Sequence, residues 1–264
     1  PNTNKPLHLG HVRNMVLGNS LINIFSFLGY KTAHVDIVND RGIHICKSML
    51  AYQKFGKKKQ PDKKPDHFVG DFYVLYAKKV AEHPELEQEI YTMLQHWEEN
   101  NKDVRALWKQ MNGWALQGFK ATYQRYGTSI DKAYFESDHY QKGKDVVQEG
   151  LQQGIFAKDT KGNIVADLTP EKLGEKVVLR ADGTSIYITQ DLVLAQLRYK
   201  EYHMHKMLYV VASEQIHHFK ALFAIFKKFG FPFADHCYHL AYGMIYLPEG
   251  KMKSREGTVV DADE

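Results

Sequence analysis

Cysteine is scarce in this 264-residue sequence: only Cys46 and Cys237 occur, far apart and without the spacing of metal ligands. A disulfide framework and a cysteine-based zinc site are thereby excluded, and two lone thiols suit a reducing, cytoplasmic compartment. Also lacking is any stretch that approaches the ~20 consecutive apolar residues of a membrane-spanning helix, so no membrane partner is expected. The opening Pro1-Asn2-Thr3-Asn4-Lys5-Pro6 does not read as a signal peptide. Neither sign of charge dominates: 35 Lys and Arg against 31 Asp and Glu leave a formal +4. That excess permits an RNA partner without requiring one.

What is present is an ordinary globular composition. With 44% hydrophobic and 25% charged residues, disorder, collagen and repeat architectures are poor descriptions, and the length allows one large α/β domain or two small ones. The sequence has no initiator Met, and it stops at Val259-Val260-Asp261-Ala262-Asp263-Glu264 without a closing element. A fragment cut at both ends is the expectation.

Leu17, Leu21, Ile24, Phe25 and Leu28 recur at three- and four-residue steps, which predicts a helix over His11–Leu28 stopped by Gly29. Residues 32–38 read as a strand. Later, Met207–Ala212 reads as a strand, Phe219–Phe229 as a helix closed by Gly230, and Tyr238–Tyr246 as a further strand. This alternation at both ends predicts an α/β fold with a Rossmann-like parallel sheet in two halves, residues 1–47 and 177–264. Between them, residues 48–176 are expected to form a largely helical insertion. It contains a helical stretch over 68–126 that breaks at Pro84, and a hairpin over 155–167 turning at Asp159–Asn163. The basic run from Lys57 to Pro65 is read as an exposed flexible connection, with an RNA-contacting loop as the alternative.

The sharpest motif is His8-Leu9-Gly10-His11, which follows Lys5-Pro6 and leads straight into the first helix. A helix amino terminus carries unpaired N–H groups and a positive dipole end, so it suits phosphate. Gly10 lets a base or ribose approach the backbone. His8 and His11 can donate hydrogen bonds to phosphate oxygens as charge builds up on transfer. A second motif, Lys251-Met252-Lys253-Ser254-Arg255-Glu256-Gly257, places cations beyond the last strand, where they could close over a triphosphate. Taken singly, either motif also fits an ordinary surface loop.

Together the two motifs resemble the His-Ile-Gly-His signature and the Lys-Met-Ser-Lys-Ser loop of class I aminoacyl-tRNA synthetases. Residues 1–11 are similar to the arginine-specific version of that family. So are Ser185-Ile186-Tyr187-Ile188-Thr189-Gln190-Asp191, Ala212-Ser213-Glu214-Gln215 and Tyr242-Gly243-Met244. The resemblance runs in order through the whole chain. It implies an arginine–tRNA ligase with ATP, accompanied by Mg²⁺, L-arginine and tRNA(Arg) as substrates and partners, and a monomeric parent enzyme. Asp191 is expected to meet the planar guanidinium fork of arginine bidentately, from the first turn of a helix capped by Thr189. Tyr187, four residues earlier, would stack on the guanidinium or donate from its hydroxyl.

By resemblance alone, Asn2 and Gln215 hold the arginine α-amino and carboxylate groups, and Gly243 and Met244 meet adenine through their backbone. His218, or its neighbour His217, lines the same cleft as an ATP contact, or else the two are polar surface. The sequence departs from the family loop in having Ser254 where a lysine is usual, with Lys5 standing where a compensating lysine is expected. Lys251 and Lys253 remain the loop's candidate catalytic cations. The family's glutamate and serine upstream of Pro1, its amino-terminal tRNA-elbow domain and its carboxy-terminal anticodon domain are not in the sequence. The implied chemistry is in-line attack of the arginine carboxylate on the α-phosphorus of ATP, then transfer to a ribose hydroxyl of the terminal tRNA adenosine. A small-molecule nucleotidyltransferase and a non-catalytic RNA-binding module are the rival readings.

Overall fold

A computed structural model describes residues 1–183, 186–247, 250–251 and 259–264. The chain is α/β and forms two compact units, residues 1–135 with 245–264, and residues 136–244.

The first unit opens with an irregular peptide that turns at Thr3–Asn4, and then α1 (Leu9–Phe27), β1 (Val35–Val38), α2 (Ile43–Phe55), α3 (Pro65–Glu82), α4 (Leu86–Glu98), α5 (Lys102–Arg125) and β2 (Lys132–Phe135). β1 and β2 pair in parallel, from Val35 opposite Lys132 to Val38 opposite Phe135. Parallel partners need a long crossover, and α2–α5 provide it. Local chemistry sets the helix starts. Pro65 sits at the first position of α3, where a missing N–H costs nothing, and Asn101 caps α5 by accepting from Asp103 N (3.1 Å) and Val104 N (3.2 Å). The break expected at Pro84 falls between α3 and α4.

Aromatic edges pack α2, α3 and α5 together. Tyr52 meets Phe72 at 5.1 Å and Trp114 at 5.5 Å between ring centroids, both edge to face. A smaller cluster of Leu7, Met15, Ala115, Phe119 and Ala262 is buried under the start of α1. Each large side chain fully buried this way contributes about 1.5–3 kcal/mol. α1 differs from expectation farther along, because Ile24 and Leu28 of its apolar stripe are 55% and 62% exposed, and Phe27 is 90% exposed.

In the second unit come α6 (Glu136–His139), α7 (Lys142–Gln152), β3 (Phe156–Lys158), β4 (Ile164–Leu168) and β5 (Gly174–Leu179). They are followed by α8 (Tyr187–Tyr202), β6 (Met207–Ala212), α9 (Ile216–Lys228) and β7 (Cys237–Tyr242). The expected hairpin forms as β3–β4, antiparallel, with Asp159 Oδ1 accepting from Lys161 N and Asn163 N, both at 2.8 Å. β6 and β7 pair in parallel, in register from Met207–Cys237 to Ala212–Tyr242, with α9 as the crossover. Leu192 and Val193 of α8 and Leu222, Ile225 and Phe226 of α9 lie in one core with Ala166, Leu168 and Val178. The strand expected over Tyr238–Tyr246 ends at Tyr242. The chain then re-enters the first unit through β8 (Tyr246–Leu247) and β9 (Gly250–Lys251), paired antiparallel.

One close approach in the first unit is sharp enough to test. A Cβ on Gly118 would lie 2.2 Å from Asp66 Oδ1, and Asp66 is fully buried. Overpacking of this kind costs about 1–3 kcal/mol, so Gly118→Ala should lower the denaturant midpoint accordingly. An unchanged midpoint would show that Asp66 has room to move.

Candidate active site

The histidine motif lies where the opening peptide becomes α1. His8 is the N-cap, with an extended backbone (φ −133°, ψ 173°). Its Nδ1 accepts from Gly10 N at 3.1 Å, and His11 Nδ1 accepts from His8 N at 3.0 Å. This is a reciprocal capping box built from two imidazoles, whose ring centroids stand 4.0 Å apart. A ring nitrogen that accepts carries no proton, so each neutral ring bears its hydrogen on Nε2. Both rings therefore have an Nε2–H to donate.

The rest of the helix start corrects the expectation of free backbone donors. Leu9 N donates to Val260 O (2.9 Å), while His11 N and Val12 N donate to His8 O (2.7 and 3.2 Å). With Gly10 N on His8 Nδ1, all four first-turn N–H groups have acceptors within the chain. A phosphate at this end of α1 would therefore be met mainly by side chains. Burial, and next the charge of Lys5, holds the His8 imidazole down at about 4, with the Asp261 carboxylate pulling it upward. Burial, with His8 and Lys5 adding to it, holds His11 well below the ordinary histidine value. Both rings stay neutral at pH 7.

In the same unit Asn2 forms a parallel bridge with Asn39, fixed by Asn39 N on Pro1 O (2.8 Å) and Thr3 N on Asn39 O (3.1 Å). Lys251 closes the β8–β9 pairing opposite Tyr246. Lys253, with the rest of residues 252–258, lies outside the described residues, as does Ser185. Three groups unmarked by the sequence motifs converge here: His67, Asp261 and Asp263 offer ligand atoms within 4.8 Å of one another. The Lys64 ammonium already occupies this cluster through Asp263, so it is not arranged for a cation. A cavity of about 380 Å³ in this unit is lined by Asp36, Phe119, Tyr123 and Asp131 among others, and none of the sequence-predicted site residues lines it.

The second unit carries Tyr187, Asp191 and Gln215, three of the four groups expected for arginine, while Asn2 lies in the first. Asp191 is not in the first turn of its helix. Ile186 is the N-cap and Thr189 is the third residue, its hydroxyl accepting from Ile186 N (3.3 Å) and donating to Val178 O in β5. Thr189 is thus a buried tie between helix and strand, and Asp191 falls in the next turn. Tyr187 and Asp191, four apart, share one face of α8, and the Tyr187 side chain is mostly in solvent, with the residue 71% exposed. His218 Nε2 lies 2.8 Å from Asp191 Oδ2, so the structure brings together two residues that the sequence analysis had assigned to different substrates. Gln215 is exposed at the start of α9. Beyond β7, Gly243 is exposed, and a Cβ there would meet nothing within 4 Å, which leaves open space over its backbone; Met244 is half-buried.

The family model for tRNA synthetases class I (R), catalytic domain, matches residues 1–264. The chain belongs to this family. It is 56% identical to an arginine--tRNA ligase of Treponema denticola, with all of this chain and 46% of that protein covered. It is 51% identical to one of Parabacteroides distasonis, with all of this chain and 48% of that protein covered. The chain thus spans about half the length of the curated relatives it matches. Among solved structures, the arginyl-tRNA synthetase of Thermus thermophilus superposes with a TM-score of 0.79 at 23% identity, over all of this chain and 50% of that one. That likeness establishes the class I synthetase fold and places the α/β architecture described above within it.

The neutral histidine pair makes stability pH-dependent with a defined sign. His8 titrates near 6.5 when unfolded and near 4 when folded, so between those values the unfolded chain binds more protons. The stabilisation is present above pH 6.5 and is lost as pH falls towards 4. His8→Asn keeps an N-cap acceptor and removes the titration. Denaturant midpoints measured across this window should fall less steeply on acidification in His8→Asn than in the wild type. Equal slopes would show that His8 is not buried as a neutral ring.

Proposed function

We propose that the protein containing this chain activates L-arginine with ATP to arginyl-adenylate and transfers arginine to the 3′ end of tRNA(Arg). The observation that carries this reading is membership of the class I (R) family over all 264 residues. The local chemistry supports it. The Nε2–H groups of His8 and His11 supply fixed, neutral donors for phosphate oxygens, and Lys5 supplies positive charge beside them. ATP enters with Mg²⁺, held mainly by its phosphates and water. Lys251 and Lys253 are the proposed loop cations, and Gly10, Gly243 and Met244 the backbone contacts for the nucleotide.

Asp191 is the proposed guanidinium partner, with Tyr187 on the same helical face; Asn2 and Gln215 are assigned to the α-amino and carboxylate ends of arginine. His218 bonds to the Asp191 carboxylate, which favours a role beside arginine over its earlier assignment to ATP. In domain terms, residues 1–47 and 177–264 are read as the two halves of the nucleotide-binding fold and 48–176 as the insertion, which contributes β2 to the first half. The cytoplasm is the proposed compartment. Burial pushes the Cys46 and Cys237 thiols up to about 12, which suits inert, reduced cysteines.

The deciding experiment is arginine-dependent ATP–pyrophosphate exchange by the full-length protein, with and without tRNA. Exchange with arginine alone among the amino acids supports the reading; RNA binding without any exchange supports a non-catalytic module instead. Within the same assay, Asp191→Asn tests specificity. With His218 donating to the amide oxygen, the Asn NH₂ would face the guanidinium, donor against donor. Loss of a charged hydrogen bond is worth about 1.5–3 kcal/mol, so arginine affinity should fall at least about tenfold while ATP affinity stays nearly unchanged. Equal arginine affinity in both proteins would assign the guanidinium to another group.

A further inference from the structure

The segment Val260–Asp263 carries none of the family motifs, yet it is built into the base of the histidine site. Leu9 N donates to Val260 O and Ala262 N donates to Leu7 O (3.1 Å), with His8 directly opposite Asp261 in an antiparallel bridge. The segment therefore acts as a strap along residues 7–9, and it consumes the first N–H of α1. Ala262 is 2% exposed beside Leu7, so the strap is also packed from below.

Its other side is held by charge. Asp263 receives the Lys64 ammonium and lies 3.2 Å from Thr122 Oγ1, while Arg125 donates to Asp263 O and Tyr126 Oη donates to Ala262 O at 2.6 Å. Lys64 is fully engaged: its ammonium also reaches Asp66 Oδ2 at 3.1 Å and Thr122 Oγ1 at 2.5 Å. His67 Nε2 sits 3.2 Å from Asp261 and 3.5 Å from Asp263. Burial raises the Asp263 carboxyl, but the bonds from Lys64 and Thr122 outweigh it and hold the group below the usual carboxylate range. Asp66 is fully buried, and Lys64 is the cation paired with it. A partly buried lysine committed to two carboxylates is not a solvated linker residue.

The orientation of both imidazoles depends on the backbone of residues 8–10, and the strap is bonded to that stretch. We propose that Lys64 is a positioning residue for the histidine pair: by holding Asp263 it fixes the strap against residues 7–9 and so sets where His8 and His11 present their Nε2–H groups. This rests on the phosphate-binding reading of those histidines. In the full-length protein, Lys64→Met should slow arginyl-adenylate formation about tenfold or more, as small misplacements of catalytic groups do. The KM for arginine should stay within about twofold, because that site is not displaced.

Since the effect runs through the two histidines, Lys64→Met added to a protein already carrying His8→Ala and His11→Ala should cost less than about twofold more. Asp263→Asn leaves the Lys64–Asp66 pair in place and should change adenylation in the same direction, with the fold confirmed by thermal unfolding. Losses that multiply when Lys64→Met is added to the protein lacking both imidazoles overturn the proposal. So does a normal adenylation rate in the folded Asp263→Asn protein. Absence of arginine-dependent exchange in the wild type would instead overturn the functional reading beneath it.

Discussion

Two backbone N–H groups held by two imidazoles organise the start of α1. Gly10 N on His8 and His8 N on His11 close the first turn of α1, and both bonds require an unprotonated Nδ1. Burial supplies that condition by keeping the rings neutral. The same bonds fix each ring's tautomer and direction before any substrate arrives. Donors prepared in this way cost little reorganisation when charge develops on a phosphate. The usual account of an anion at a helix start relies on free backbone N–H groups. Here those groups are already satisfied, by the histidines themselves and by Val260, so an anion at this helix start would have only side chains such as those of His8, His11 and Lys5 to meet it.

Much of the scaffold was legible in the sequence because its signals are local. α1, β6, α9 and the β3–β4 hairpin lie within a few residues of their expected positions, each marked by apolar periodicity or by a turn such as Asp159–Asn163. The Thr189 assignment failed for a tertiary reason. Threonine is a good N-cap, but its hydroxyl is drawn to Val178 O in β5, and the helix starts earlier, at Tyr187 with Ile186 as its N-cap. In the basic run, Lys57–Gln60, Asp62 and Lys63 are the exposed connection expected between α2 and α3, and Lys64 departs from that reading for the same kind of reason. Nothing near Lys64 announces Asp263, which lies 199 residues away. The apolar repeat of α1 indicated a helix correctly, but it could not show which positions of that helix the first unit buries.

The candidate site was legible as residue types and only partly as relationships. The motif residues His8 and His11 meet as their spacing allows. The hydrogen bond between Asp191 and His218 joins two helices, and no pattern within either one encodes it. It has a clear physical consequence: a carboxylate with one oxygen held by an imidazole has a fixed plane, and a planar, bidentate partner such as guanidinium benefits from that. His67, Asp261 and Asp263 show the converse. Their spacing alone would admit a metal ion, but the Lys64 ammonium makes the cluster a structural ion-pair network.

The central claim is that His8 and His11 are neutral rings protonated on Nε2 and accepting at Nδ1. Nitrogen-15 NMR of the two imidazoles, assigned by single His→Asn variants and followed across pH, reads tautomer and charge directly. The account predicts the Nε2–H tautomer for both rings at neutral pH, with no imidazolium from His8 until the pH approaches its folded value of about 4. An Nδ1–H tautomer in either ring, or protonation of His8 near the ordinary 6.5, would contradict it.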